Sequence, residues 1–294
     1  MRHFSIKDLA EFSGLKQHTI RIWEQRYSFL QPQRSQSSHR TYTAEELNVL
    51  LDVVLLNQNG YKISRIDKMT LEEKLQIFSK VVDQQQKAVH ELIIHMAKMD
   101  AEGFEMALDS CMLTWGIHVT IQQILLPFCN MVGLLQTNGT KNYVENIIVV
   151  QQIIKQKLYT GIEKATATVD KKEKVLLFLP PGELQEITML YLQYVLKTNG
   201  YTTVYLGHQL TVSYLNMISQ HTKPQYIITH ITKRSSTNHK SLSDFVLKMP
   251  GQLPQTKFIS IEKPLTPACN AHQQYMYAAT LPDVFEIMLQ KEVV

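Results

Sequence analysis

A chain of 294 residues, 44% hydrophobic and 19% charged, has the length of two or three domains and enough apolar residues to give each a core. No run of about eighteen consecutive apolar residues is found, the start MRHFSIKDLAEFSG is charged where a secretion signal would be apolar, and Cys111, Cys129 and Cys269 lie too far apart for a disulfide framework or a CxxC knuckle. These features predict a cytoplasmic protein with reduced thiols. The net charge of +4 is small but unevenly placed: residues 1–42 carry seven Lys and Arg against three acids, an excess equal to that of the whole chain. Such a basic segment is the footprint of a phosphate-binding surface.

Ser5-Ile6-Lys7-Asp8 is a capping box that opens a helix carrying Ile6, Leu9 and Ala10, and Ser13-Gly14-Leu15 breaks it. A second helix follows from Lys16 to Tyr27, with Ile20, Trp23 and Tyr27 as its inward stripe and Gln17, Arg21 and Gln25 on the other side. Helix, glycine turn, helix is the helix-turn-helix outline. Residues 32–43 read as two extended arms around a Ser-rich turn, projecting Arg34, His39 and Arg40. Thr43-Ala44-Glu45-Glu46 caps a third helix with Leu47, Leu50, Leu51, Val54 and Leu55 on one face. Asn59-Gly60 ends it, and a short helix begins at Ile63.

From Leu71 to Ala167 the pattern is helical, with a stripe of Phe104, Ala107, Leu108, Cys111 and Met112 and a loop at Thr137–Lys141, so a bundle of about four helices is expected. Residues 165–174 read as a linker. After it, Val175–Leu179, Thr203–Leu206, Tyr226–Ile231, Lys257–Ile261 and Tyr275–Ala279 are strand-like. Helical segments 184–198, 212–221, 242–249 and 284–289 alternate with them, which implies a doubly wound parallel α/β domain. The expected architecture is therefore multidomain: a winged helix-turn-helix over residues 1–72, an all-α bundle over 73–168 and an α/β domain over 169–294.

Other chemistry finds little support. His90 and His95 are five apart, about 140° round a helix, which fits surface histidines better than a shared metal site. No GxGxxG, GxxxxGK[ST] or GxSxG element occurs. His208 and His230 fall at strand ends and read as local hydrogen-bonding groups, and Trp115 as bundle core. No catalytic residue and no metal ligand is assigned, and the chain reads as a non-enzyme.

FSIKDLAEFSGLKQHTIRIWEQRY, then RSQSSHRTYTAEEL and NQNGYKISRI, resemble the DNA-binding domain of MerR-family transcriptional regulators over residues 3–70. The remainder is similar in layout to the light-sensing, cobalamin-binding repressors of carotenoid genes in that family, through Pro180-Pro181-Gly182-Glu183 and Gly200-Tyr201…Val204-Tyr205-Leu206-Gly207. The resemblance implies a helical bundle and a flavodoxin-like cobalamin domain. It also marks departures. The family's cobalt-ligating histidine corresponds to Gln185, its tryptophan over the corrin to Gln136, and its Glu-His pair to Asn146-Ile147 or Ile147-Ile148. Its glycine pair after the fourth strand is replaced by Glu262-Lys263-Pro264. An amide is a poor cobalt ligand beside imidazole, so no cofactor is expected.

The expected function is a DNA-binding regulator, a repressor by analogy, that reads an inverted repeat as a homodimer or larger assembly. Its C-terminal region would sense, oligomerise or bind an unidentified ligand or protein. Lys16, Gln17, His18, Thr19 and Arg21 are expected at base edges or phosphates. Arg26, Arg34, His39 and Arg40 are placed on flanking backbone or minor groove, Tyr42 braces the wing, and Trp23 serves both core and contact. The alternatives are a photoreceptor that binds cobalamin without a lower histidine, and a corrinoid carrier.

Overall fold

The computed structural model describes residues 3–34, 40–137, 144–167, 170–183, 185–232 and 236–289. The Ser-rich wing turn with His39 and the loop expected after Thr137 lie outside them. Contacts divide the chain into two compact units, Met1–Ile153 and Ile154–Val294.

In the first unit, α1 (Ile6–Ser13) starts at the predicted capping box and ends at Gly14, whose φ of 70° is the left-handed turn that favours glycine. Next come α2 (Gln17–Arg26), a two-stranded antiparallel wing of β1 (Gln33–Arg34) and β2 (Arg40–Thr41), α3 (Ala44–Gln58) and α4 (Ile63–Lys68). Val53 and Leu56 are buried in α3 as well as the predicted stripe, because α1, α4, α5 (Leu71–Val81) and α6 (Gln84–Lys98) all pack on it.

The bundle continues through α7 (Ala101–Thr120), a π-helical turn at Ile121–Leu125, α8 (Leu126–Thr137) and α9 (Val144–Lys164), which runs on into the second unit. Gly116, at φ 76° and ψ 163°, kinks α7. The run Ala101–Val132 has the length and mean hydropathy of a membrane span, although polar and charged residues interrupt it. Its Phe104, Leu108, Ile121, Ile124 and Leu125 are fully buried within the protein. Two expectations are corrected here. Trp115 is only partly buried, since it lies at the kink where the helix loses its regular inward face. His90 is half-buried rather than a free surface residue: its Nδ1 is buried without a partner, and burial pushes its pKa down to about 4. His95 instead meets Asp100 at 2.8 Å.

The second unit is built on a five-stranded parallel sheet in the order β4-β3-β5-β6-β7, with β3 (Lys174–Phe178), β4 (Thr202–Tyr205), β5 (Tyr226–His230), β6 (Lys257–Ile261) and β7 (Tyr275–Ala278). This is the flavodoxin-like order. Alternate strand residues feed two cores. Val175, Leu177 and Ile228 meet α10 (Glu186–Thr198) and α14 (Leu281–Leu289) on one face. Leu176, Ile227 and Phe258 meet α11 (Val212–Thr222), α12 (Ser236–Gln252) and α13 (Pro267–Asn270) on the other. Strand ends agree with the sequence reading to within a residue. Helix α12 is longer than expected at both ends, and α13, only four residues long, was not foreseen.

Candidate nucleic-acid interface

The N-terminal half of α2 presents a row of polar side chains. Lys16 is its N-cap, and Lys16, Gln17, His18 and Arg21 are exposed while Thr19 is half-buried. Gln17 and Arg21, four apart, share one face. The opposite face is anchored by Ile20, fully buried, and by Trp23, half-buried edge-on against Phe29 at 6.0 Å. The structure thus favours the core role of Trp23. Arg26 is exposed in the last turn. Arg34 lies on β1, its side chain outside the described residues.

Arg40 and Tyr42 converge on one carboxylate. Arg40 Nε donates to Glu24 Oε1 at 2.8 Å, and the Tyr42 hydroxyl donates to Glu24 Oε2 at 2.9 Å. Glu24 holds the Arg40 pKa above its usual value, and burial followed by Glu24 holds the Tyr42 phenol far above the usual range. Tyr42 is fully buried and bonds its backbone both ways to Phe4 at 2.8 Å. With no exposed surface it does not face DNA, in keeping with the expected brace rather than a contact.

A further basic set was missed: Lys62, Arg65 and Lys68 on and beside α4 are exposed, with Arg65 over the Tyr61 ring at 5.5 Å. Asp67 fastens α4 to the loop after α2, accepting from Ser28 N at 2.8 Å and Ser28 Oγ at 2.9 Å. A count of basic residues carried beyond residue 42 would have found this set.

The second unit has its topological switch point between β3 and β5, where ligands of such sheets sit. The loop after β3 sends Glu183, 2% exposed, across to accept from Thr232 N at 3.0 Å and Thr232 Oγ1 at 2.9 Å. At the ends of β5 and β6, His230 Nε2 lies 3.3 Å from Glu262 Oε2, and His230 Nδ1 is buried without a partner. Burial pushes the His230 pKa down to about 4. Glu262 has φ 71°, a left-handed conformation that favours glycine. Gln185 is the N-cap of α10. Glu186 beside it accepts from Lys155 at 3.0 Å and lies 3.9 Å from His208. In the bundle, Asn146 is 1% exposed and donates to Met96 O, and Ile147 is core. Gln136 is on α8, its side chain outside the described residues. Among the described residues no group of three or more His, Cys, Asp and Glu could hold a metal ion.

Residues 4–73 match the family described as MerR HTH family regulatory protein. This chain carries a MerR-type helix-turn-helix domain. The MerR-type domain is 35% identical over 68 residues to the HTH-type transcriptional repressor CarH of Myxococcus xanthus, a match that spans 23% of each chain. The similarity continues beyond it. The HTH-type transcriptional repressor CarA of the same organism is 22% identical over 252 residues, 85% of this chain and 84% of that one. Among solved structures, the monomethylamine corrinoid protein of Methanosarcina barkeri shares the fold with a TM-score of 0.52 at 13% identity, over 70% of this chain and 99% of that one. The chain therefore carries a MerR-type helix-turn-helix domain, is similar over most of its length to a transcriptional repressor, and shares the fold of a corrinoid protein over 70% of its length.

Proposed function

We propose that this protein is a sequence-specific DNA-binding repressor, not an enzyme, that reads an inverted repeat as a homodimer or larger assembly. The observation that carries the reading is the exposed polar row Lys16, Gln17, His18 and Arg21, held on a helix whose other face is fixed by buried Ile20. A single small reader makes few contacts, so specificity requires two half-sites. Selection of a duplex from a random pool should yield an inverted repeat that binds two protomers. Arg21→Ala and Gln17→Ala should each cost about 1–3 kcal/mol of operator affinity and relax preference at one base position per half-site. Unchanged affinity and preference in both variants would refute the assignment.

The three parts, residues 1–72, 73–168 and 169–294, then serve as reader, bundle and an α/β sensor or oligomerisation domain. In this reading the α/β domain works without cobalamin, because its residues do not fit that cofactor. An amide stands at Gln185, where the related photoreceptors have the cobalt ligand. Asn146 and Ile147 are packed into the bundle, one spent on Met96 O. Glu262 projects a carboxylate where a glycine would leave room for the nucleotide tail, and it is paired with His230. Opening that place would strand a nearly buried histidine beside a displaced charge. Calorimetry of the full chain with adenosylcobalamin and with methylcobalamin should show no one-to-one isotherm of micromolar or tighter affinity, and operator binding should be the same in darkness and light. Such an isotherm would overturn the cofactor-free reading, and a difference between darkness and light would point to the photoreceptor alternative.

A further inference from the structure

A recognition helix discriminates bases only if its angle to the rest of the interface is fixed. The two motif fragments that lie apart in sequence, Arg21-x-Trp23-Glu24 and Arg40-x-Tyr42, meet at the Glu24 carboxylate. Each oxygen has its own partner, at 2.8 and 2.9 Å, and the Glu24 side chain is only 13% exposed. An exposed ion pair of this kind would contribute little. This one is different, because the Tyr42 hydroxyl belongs to a fully buried ring and Tyr42 is itself tied to Phe4 by two backbone bonds. A buried hydroxyl must find its partner inside the protein. The carboxylate therefore links α2 to the end of β2 and, through Tyr42, to the strand-like start of the chain. The charge of Arg40 is matched at contact distance through its Nε–H, which weakens its pull on a phosphate although its terminal nitrogens stay partly exposed.

Resting on the DNA-reading function proposed above, we infer that Glu24 is a positioning residue that sets the angle between recognition helix and wing, with Arg40 as its strut and not a phosphate contact. A phosphate contact and a strut differ in salt dependence. Loss of one phosphate contact lowers the slope of log affinity against log salt by about one, whereas loss of a strut leaves the slope alone and lowers discrimination. For the full chain, Arg40→Ala should weaken operator binding about fivefold to tenfold with an unchanged slope. Glu24→Gln removes the matching charge and frees the guanidinium, so it should steepen the slope by about 0.9 and cut the operator to non-operator affinity ratio about tenfold. Tyr42→Phe keeps the ring and the core, and should lower the same ratio severalfold at constant slope. This variant keeps the idea testable if Glu24→Gln folds poorly. A slope lowered by about one in Arg40→Ala, with discrimination preserved, would make Arg40 a phosphate contact and overturn the inference. A second arm needs no DNA. In the free protein the Arg40 Nε proton should exchange with solvent at least about tenfold more slowly than those of Arg21 and Arg26, and Glu24→Gln should abolish the difference. Equal exchange at the three arginines would also overturn it. Failure of the wild-type chain to prefer any duplex would instead refute the DNA-reading function, while the exchange measurement still decides the brace.

Discussion

Tyr42→Ala should destabilise the Met1–Ile153 unit by about 3–5 kcal/mol, the cost of emptying a large aromatic site in a core. The ring is fully buried, and its truncation leaves a cavity that the neighbouring Phe4, itself 0% exposed, can fill only by breaking its own pairing with the wing. The same change removes the donor from Glu24 Oε2. Tyr42→Phe isolates that second part and should cost about 1.5–3 kcal/mol, the range for a hydrogen bond to a charged group. Urea unfolding followed by far-ultraviolet circular dichroism measures both. A loss under about 1 kcal/mol in Tyr42→Ala would show that the ring is not a core element, and would also undermine the brace. Operator binding should fall in Tyr42→Ala through the smaller folded fraction together with the lost link to Glu24, not through a lost DNA contact.

Local rules made much of this fold legible. Ser5 and Thr43 announce their helices because each is followed three residues later by an acid that closes a capping box, and both boxes are formed. The strands of the second unit are short β-branched and aromatic runs bounded by Gly, Pro or polar residues, so their ends were readable to within a residue. What was not legible depends on tertiary neighbours. Helix α13 is too short to show a period. The burial of His90 follows from which helices surround α6, not from its spacing to His95. Arg40 and Arg21 look alike in a count of basic residues, yet one is engaged by Glu24 and the other is exposed. The partner that separates them is 16 residues away from Arg40 in sequence. The candidate interface was therefore readable as a surface, while which of its side chains are engaged by neighbouring residues was not.

Acid should weaken both units, and the second more than the first. His90 and His230 are held neutral by burial, with pKa values pushed down to about 4 against about 6.5 in an unfolded chain. Above pH 6.5 neither state takes up the proton and stability is full. As pH falls from about 6.5 to about 4, the unfolded state binds a proton that the folded state refuses, so stability is lost by up to about 3 kcal/mol per histidine. The Glu262 carboxylate at 3.3 Å favours charged His230, while burial favours the neutral form and pushes the pKa down to about 4. In the first unit Asp52 acts in the opposite direction. Burial pushes its pKa up to about 6, so its protonation between about pH 6 and pH 4 favours the folded state and offsets part of the His90 loss. Urea midpoints measured between about pH 7 and pH 4.5 should therefore decline, with the transition of the second unit falling further. His230→Gln should flatten the decline in that unit. Stability that rises on acidification, or a slope untouched by His230→Gln, would contradict the assignment.

The left-handed backbone at Glu262 places this chain at an unusual point in mutational space. A glutamate codon becomes a glycine codon by changing its middle base, and glycine would relieve a backbone penalty of about 1 kcal/mol. The same step would leave His230 beside solvent with no carboxylate to orient its imidazole. A screen that rewards only thermal resistance and one that rewards a fixed histidine tautomer would therefore sort this single codon in opposite directions. The turn after β6 is thus a place where backbone relief and histidine orientation compete, and which of the two residues is recovered from a randomised codon reports which one the applied selection favours.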